Sequence, residues 1–243
     1  MDVFSKEKRS EIMSKIRSKN TIVERLVFKE LRKRKIYFQK HYKKADGKPD
    51  IALPRKKKAV FIDGDFWHGY KFLKQKERLP KKYWVRKIEG NIARDKRNTA
   101  KLKRNGWLIL RIWEHQLEKD FERTMVNIIS FLESNGGKCA KKHVIAIIDK
   151  NGKRYIGSDW CRNPQKKCPR LLGEDYAKCK TICKQDGHAE IDAIKKAKGD
   201  TKGAVMYLIG HDHCCDSCLA AMEKAGIETV IFNKYPKGFK AIK

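Results

Sequence analysis

Apolar positions recur along this chain in stretches whose period changes, and the changes lay out its elements. Asp2–Ile16 reads as a basic, partly helical arm. From Ile22 to about Lys35 the spacing predicts a helix, with Leu26, Val27 and Leu31 inward, Lys and Arg outward, and Asn20-Thr21 as the N-cap. Ile51–Pro54 and Ala59–Asp63 are short apolar runs separated by Arg55-Lys56-Lys57-Lys58, the pattern of a β-hairpin. Leu73–Tyr83 is Lys-rich and unpatterned, a mobile loop by expectation. Trp84 to about Asn105 reads as a long helix ended by Gly106 at C′. Trp107–Glu114 is an almost continuous apolar run, which predicts a buried strand with Trp107 and Trp113 in the core. A helix over Phe121–Glu133 closes this part, giving an α/β domain built on a mixed sheet.

After the turn-forming Ser134-Asn135-Gly136-Gly137-Lys138 the period drops to that of strands. His143–Ile148, Asn151-Gly152 and Arg154–Ile156 spell a second hairpin. A Cys-punctuated loop leads to a helix containing His188-Ala189-Glu190. A strand at Ala204–Ile209, a helix opened by Cys215-Asp216-Ser217-Cys218 and a strand at Thr229–Phe232 follow. The order β-β-α-β-α-β predicts a small α/β sandwich. The expected domains are therefore 1–136 and 141–243.

Charge sharpens this division. The 243 residues carry a formal net charge of +30, a polyanion-binding excess with no long apolar or amphipathic stretch beside it. Nucleic acid before membrane is the expected partner. Residues 1–140 hold a net +21 and the remainder +9, so the phosphate-binding charge sits mainly in the first part. All eight cysteines lie at or beyond position 139. The N-terminus has no apolar signal core, so a cytoplasmic location is expected. In a reducing compartment, clustered Cys with His nearby read as metal ligands rather than disulfides.

The first hairpin also carries candidate chemistry. With Arg55–Lys58 as the turn, Pro54 faces Ala59 and Asp50 falls opposite Asp63. Opposed residues have Cβ atoms roughly 4.5–5.5 Å apart. Two carboxylates so close call for a cation, which predicts a Mg²⁺ site with hard oxygen ligands. His68 follows as a candidate general base, with Phe66 and Trp67 between. The plainer reading is a core hairpin with an aromatic anchor and a solvated Asp pair.

MSKIRSKNT (Met13–Thr21), GKPDIALP (Gly47–Pro54), VFIDGDFWHG (Val60–Gly69), KIEGNIARDKRN (Lys87–Asn98) and GWLILRIWE (Gly106–Glu114) share their order and spacing with very-short-patch-repair endonucleases. The resemblance spans residues 5–133. It implies a restriction-endonuclease-like fold and a Mg²⁺-dependent nick in double-stranded DNA beside a T·G mismatch. It further implies Asp50 and the Ile62 carbonyl as metal ligands, His68 as the base, and Glu24 and Asp95 as supporting acid groups. Met13, Phe66 and Trp67 match residues that wedge into the base stack, a deformation least costly where pairing is already poor. Two departures stand out. The family's structural-zinc ligands are replaced by Gly69-Tyr70-Lys71 and Glu114-His115-Gln116. Asp63 stands where many members have a non-acidic residue, which suggests a second metal carboxylate and weakens the transfer of strict mismatch specificity.

His188-x-Glu190 followed by Cys215-x-x-Cys218 is a zinc-deaminase signature. One imidazole and two thiolates leave a fourth tetrahedral position for an activated water, with Glu190 as proton shuttle. The run CPRLLGEDYAKCKTICKQDGHAEIDAI resembles deoxycytidylate deaminases, phage-like ones in particular, over residues 141–243. That resemblance implies a cytidine-deaminase-like sandwich acting on dCMP or a related cytosine nucleotide, with homo-oligomerisation through this domain among its partners. The family's Pro before Cys-x-x-Cys is Cys214 here. Cys161, Cys168, Cys179 and Cys183, with His211 or His213, offer a second structural zinc; packed reduced thiols are the alternative.

Three readings stay open at this point: two tethered enzymes with the deaminase acting on free dCMP, a deaminase acting on cytosine in DNA, or a zinc-stabilised DNA-binding module that targets the nuclease.

Overall fold

A computed structural model describes Ser5, Lys8, Glu11 and residues 19–236, apart from Pro80, Asn135, Lys138, Lys142, Leu172 and Gly173. Met13 lies outside the described residues, as does most of the expected N-terminal arm. Two compact units divide at Phe121/Glu122.

In the first unit, helix α1 (Ile22–Lys33) is capped by Thr21, whose hydroxyl accepts from the Glu24 N–H, while the Asn20 N–H donates to Glu24 Oε2 at 2.8 Å. This reciprocal cap fixes the helix start and the Glu24 side chain together. Val23, Val27, Phe28 and Leu31 are buried on its inner face; Leu26, expected there, is half-buried. The four-stranded sheet runs β1 (Gln39–Lys40), β2 (Ile51–Leu53), β3 (Lys58–Asp63), β4 (Leu108–Trp113), antiparallel except for the parallel β3–β4 pair. A mixed α/β fold is thus observed, consistent with the restriction-endonuclease-like expectation.

The hairpin register differs from the expected one by two residues. Pro54 opens a 3₁₀ turn through Lys56, and Lys57 closes it in the left-handed region. Leu53 therefore pairs with Lys58 and Ile51 with Val60. Continued outward, this register sets Asp50 level with Phe61, not Asp63. The cause is Pro54: without an N–H it leaves the ladder and joins the turn, and Lys58 takes the strand position in exchange.

The stretch expected to be a mobile loop is instead a series of short helical pieces, α2 (Phe72–Gln75), a 3₁₀ turn at Lys76–Arg78 and a wide turn at Lys81–Val85. Phe72, Val85 and Ile88 bury together there and hold it. Helix α3 (Arg86–Arg104) follows and stops before Gly106 (φ +77°). Strand β4 lies at a sheet edge and, in place of the expected full burial, is mostly half-buried, with Ile112 alone fully buried. Trp107 packs against Tyr42 at 6.1 Å. Helix α4 (Glu114–Lys119) ends the unit.

Helix α5 (Phe121–Glu133), expected to close the first domain, packs with the second unit. Its Phe131 ring lies 5.3 Å from Trp160, and the Trp160 indole N–H donates to Ser130 Oγ at 2.7 Å. Strands β5 (Ile145–Lys150) and β6 (Lys153–Ser158) form the expected hairpin across Asn151-Gly152, both at positive φ. Short helix α6 (Ala177–Thr181), helix α7 (Ala189–Ala197), strand β7 (Ala204–Ile209), helix α8 (Asp216–Lys224) and strand β8 (Ile227–Phe232) complete a sheet ordered β6-β5-β7-β8. Ala146, Ile148, Met206 and Leu208 pack against Ala189, Ala193 and Ala197 of α7. A Cβ on Gly157 of β6 would lie 2.1 Å from the Ala189 carbonyl oxygen and 2.2 Å from the Ala193 nitrogen, so only glycine lets α7 dock this closely. Among the described residues no helix is long and apolar enough to cross a membrane.

Candidate active sites

In the first unit, three segments deliver two carboxylates and one imidazole to the end of β3. Glu24 comes from the first turn of α1, His41 from just after β1 and Asp50 from just before β2. Their ligand atoms all lie within 4.8 Å of one another. His41 Nε2 is 3.5 Å from Glu24 Oε2 and its Nδ1 3.4 Å from Asp50 Oδ1. The second Asp50 oxygen accepts from the Ile62 N–H at 2.8 Å, which ties the carboxylate to β3. Burial and the nearby Asp50 charge push the Glu24 carboxyl up, against the opposing Asn20 N–H and His41. Asp50 is the expected metal ligand and Glu24 an expected supporting acid, grouped with Asp95 rather than with Asp50; His41 has no place in the sequence expectation. An isolated His in a basic stretch gave no signal, and only the fold brings it between two acids.

The neighbouring residue on β3, Asp63, belongs to another network. Arg111 on β4 donates Nε to Asp63 Oδ2 and Nη2 to Asp63 Oδ1, and its Nη1 reaches Thr99 Oγ1 at 3.3 Å. The expected Asp50–Asp63 pair is thus corrected: Asp63 is buried, and both its oxygens are engaged by a guanidinium. Burial pushes the Asp63 carboxyl up while Arg111 pulls it down. His68, in the turn after β3, places Nδ1 2.6 Å from Asp95 Oδ2 of α3 and 3.5 Å from Asp63 Oδ1. Burial raises Asp95, but the His68 hydrogen bond and the charges of His68 and Arg111 outweigh it and hold the carboxyl below its ordinary value.

Phe66 and Trp67 flank this turn. Phe66 is 38% exposed, and the pair meets Trp84 at 5.2 and 5.8 Å, with Tyr83 edge-on beyond it at 5.0 Å. This partly open aromatic group is larger than the two residues expected from sequence. Where the resemblance would put zinc ligands, His115 pairs with Asp65 at 2.8 Å and stacks on Tyr70 at 4.1 Å.

In the second unit, His188 and Cys215 are the N-caps of α7 and α8, both in extended backbone. The start of α7 contributes His188 and the start of α8 both cysteines: His188 Nδ1 is 3.3 Å from Cys215 Sγ and 3.3 Å from Cys218 Sγ. Glu190, in the first turn of α7, is buried. Burial would raise the Cys215 thiol, but Ser217 and the Cys218 N–H more than offset it and lower its pKa. Burial and Glu190 push Cys218 well up, and Cys214 up to about 11. Tyr176 stands edge-on to His188 at 5.0 Å, with Arg170 4.1 Å over its ring. His211 and His213 group with Asp212.

A family model described as DNA mismatch endonuclease Vsr matches residues 1–74. The type II nicking enzyme V.NmeDIP of Neisseria meningitidis serogroup C is 33% identical over 154 residues, 63% of this chain and 94% of the relative. The type II nicking enzyme V.XorIIP of Xanthomonas oryzae pv. oryzae is 39% identical over 119 residues, 48% and 86% of the two chains. The DNA mismatch endonuclease Vsr of Escherichia coli K12 is 29% identical over 114 residues, 46% and 73%.

Proposed function

The chain belongs to the Vsr family of DNA mismatch endonucleases and is a DNA endonuclease, a hydrolase, and we propose that it nicks one strand of duplex DNA beside a mispaired base. The observation that carries this reading is the adjacency, along β3, of the Glu24–His41–Asp50 group and the Asp95–His68 pair. Asp95 holds His68 through Nδ1, which leaves Nε2 to take the proton of an attacking water. Glu24 and Asp50 offer the hard oxygen donors that suit Mg²⁺. When bound, such an ion would supply positive charge at the scissile phosphate. Phe66 and Trp67 give the wedge a stacking surface, and the chain's Lys/Arg excess gives affinity for the phosphate backbone. Asp50→Ala is expected to abolish metal-dependent nicking while leaving DNA binding nearly unchanged. Nicking at more than a few per cent of wild type would remove Asp50 from the site.

For the second unit we infer a zinc-dependent deaminase of a cytosine nucleotide, dCMP in the first instance. The donor set supports this: one imidazole and two thiols at helix starts fit a tetrahedral zinc with one open position. Zinc, when bound, would supply the Lewis acidity that makes water nucleophilic near neutral pH. Glu190 lies in the same helix turn and would carry a proton to the leaving amine. Uracil formation from dCMP and from a single-stranded oligonucleotide separates the two substrates, with Glu190→Ala as the control that keeps every zinc ligand. Activity on neither substrate, with zinc retained, would favour a zinc-stabilised DNA-binding module.

A further inference from the structure

The segment from Asp159 to Gly187 joins β6 to α7 with little regular structure beyond the five residues of α6. Connections this long are uncommon in compact domains unless they carry function. Between Trp160 and His188 the buried residues, among those described, are the free thiols Cys161, Cys179 and Cys183. The larger side chains lie nearer the surface, and one of them borders the His188–Cys215–Cys218 donor set. Tyr176, the N-cap of α6, is 43% exposed, yet its ring stands edge-on to His188 at 5.0 Å. A partly open aromatic ring is thus one contact away from the sulfur and nitrogen donors.

Arg170 stacks on that ring, its Cζ 4.1 Å from the centroid, and donates through Nη2 to the Glu174 carbonyl. Ring and carbonyl fix the guanidinium without neutralising it. The Glu174 carboxylate is taken by the Lys178 ammonium at 2.7 Å and the Leu171 N–H at 2.9 Å. Among the described residues no carboxylate forms an ion pair with Arg170, whereas Arg154 and Arg162 of the same unit face Asp149 and Asp186. A half-buried guanidinium that is held in place and lacks a counter-anion is a receptor for an oxyanion, which its planar fork of N–H groups can meet in two places.

We propose that Arg170 binds the 5′-phosphate of the cytosine nucleotide, with Tyr176 as the positioning residue that holds the guanidinium beside His188. This rests on the deaminase reading and adds which end of the substrate is recognised, and by what. Base and phosphate are the two ends of a nucleotide, so a zinc-type donor set and an anion receptor separated by one ring match both. The 5′-phosphate can belong to free dCMP or to a nucleotide within a single strand, and the assay separates the two.

Turnover of deoxycytidine, dCMP and a single-stranded oligonucleotide by the full chain, with zinc measured in each preparation, tests the assignment. Wild type is expected to favour a phosphorylated substrate over deoxycytidine; whichever of dCMP and the oligonucleotide it prefers identifies the source. Arg170→Ala should lower kcat/KM for that substrate roughly 10–100-fold, chiefly through KM, and leave deoxycytidine turnover and zinc content as in wild type. Tyr176→Phe, which keeps the ring, should keep the selectivity, and Tyr176→Leu should lose it. Binding of dCMP to Glu190→Ala protein, with and without Arg170→Ala, repeats the comparison without chemistry. An equal loss on all substrates with zinc retained, or no loss, overturns the assignment, as does a Tyr176→Leu protein of full selectivity. If Arg170→Ala does not fold, Arg170→Lys replaces it, with a smaller loss expected on the phosphorylated substrate alone. Wild type that deaminates deoxycytidine as well as dCMP overturns the phosphate site and leaves the deaminase standing. Zinc-loaded wild type that forms uracil from none of the three removes both.

Discussion

Arg111 holds Asp63 by two parallel hydrogen bonds of 2.6 Å, Nε to Oδ2 and Nη2 to Oδ1, across the β3–β4 pair. The fork also lies over the Phe61 ring, 4.7 Å from guanidinium carbon to centroid. Removing Arg111 alone strands a buried carboxylate, so Arg111→Ala is expected to cost roughly 3 kcal/mol of stability. Replacing both residues with apolar ones of similar volume should recover most of it. Urea denaturation of the single and double variants checks this; a single variant as stable as wild type would show the pair to be incidental.

The second expectation concerns His68. With Asp95 on Nδ1, His68→Ala should lower nicking by roughly 10²–10⁴-fold, the usual contribution of a general base. Asp95→Asn should cost less, because the ring is misdirected rather than lost. Single-turnover nicking rates at saturating DNA would compare them, and an Asp95→Asn rate below that of His68→Ala would reverse the assigned roles.

Changing Phe66 and Trp67 together to Ala should remove any preference for a mismatched over a fully paired duplex. Opening a base step costs a few kcal/mol, and without the wedge that cost has no return. Competition between the two duplexes gives the ratio directly. A preserved preference, with lowered stability, would make these rings part of the packed cluster with Trp84 and nothing more.

A fourth prediction follows from the raised pKa of Glu24, due to burial and then to Asp50. A carboxyl whose folded pKa exceeds its unfolded value favours folding while protonated. That contribution is complete below the unfolded pKa and is lost as pH rises through the folded one. Glu24→Gln keeps an acceptor for the Asn20 N–H but carries no charge. In chelator, it should therefore be more stable than wild type at neutral pH, with the gap closing towards acid, while nicking is lost. Urea midpoints across that range that stay parallel would contradict the assigned environment.

Much of this architecture was legible in the residues. The period of apolar positions located α1, α3 and the β5–β6 hairpin, and His188 and Cys215–Cys218 do meet at two helix starts. What escaped detection depended on one backbone detail or on distant sequence. Pro54 entering the turn shifted the register and separated Asp63 from Asp50. Phe72 and Val85, spread through a Lys-rich stretch without period, bury together only once α3 is in place. His41 and Arg111 find their partners across strands, where no local pattern announces them. The boundary followed Phe131 and Trp160 rather than the Gly-Gly turn, since glycines mark where a chain bends and not which side its helices pack on.

The atoms nearest a Cβ on Gly157 belong to Ala189 and Ala193, so the space between β6 and α7 is set by its missing side chain. A single added methyl would displace the helix whose start carries His188 and Glu190. A genetic screen for lost function of the second unit should therefore return substitutions at Gly157 alongside those at His188. Interpreting such an allele as a substrate contact would be a mistake, because the lesion lies in a distance and not in a missing group.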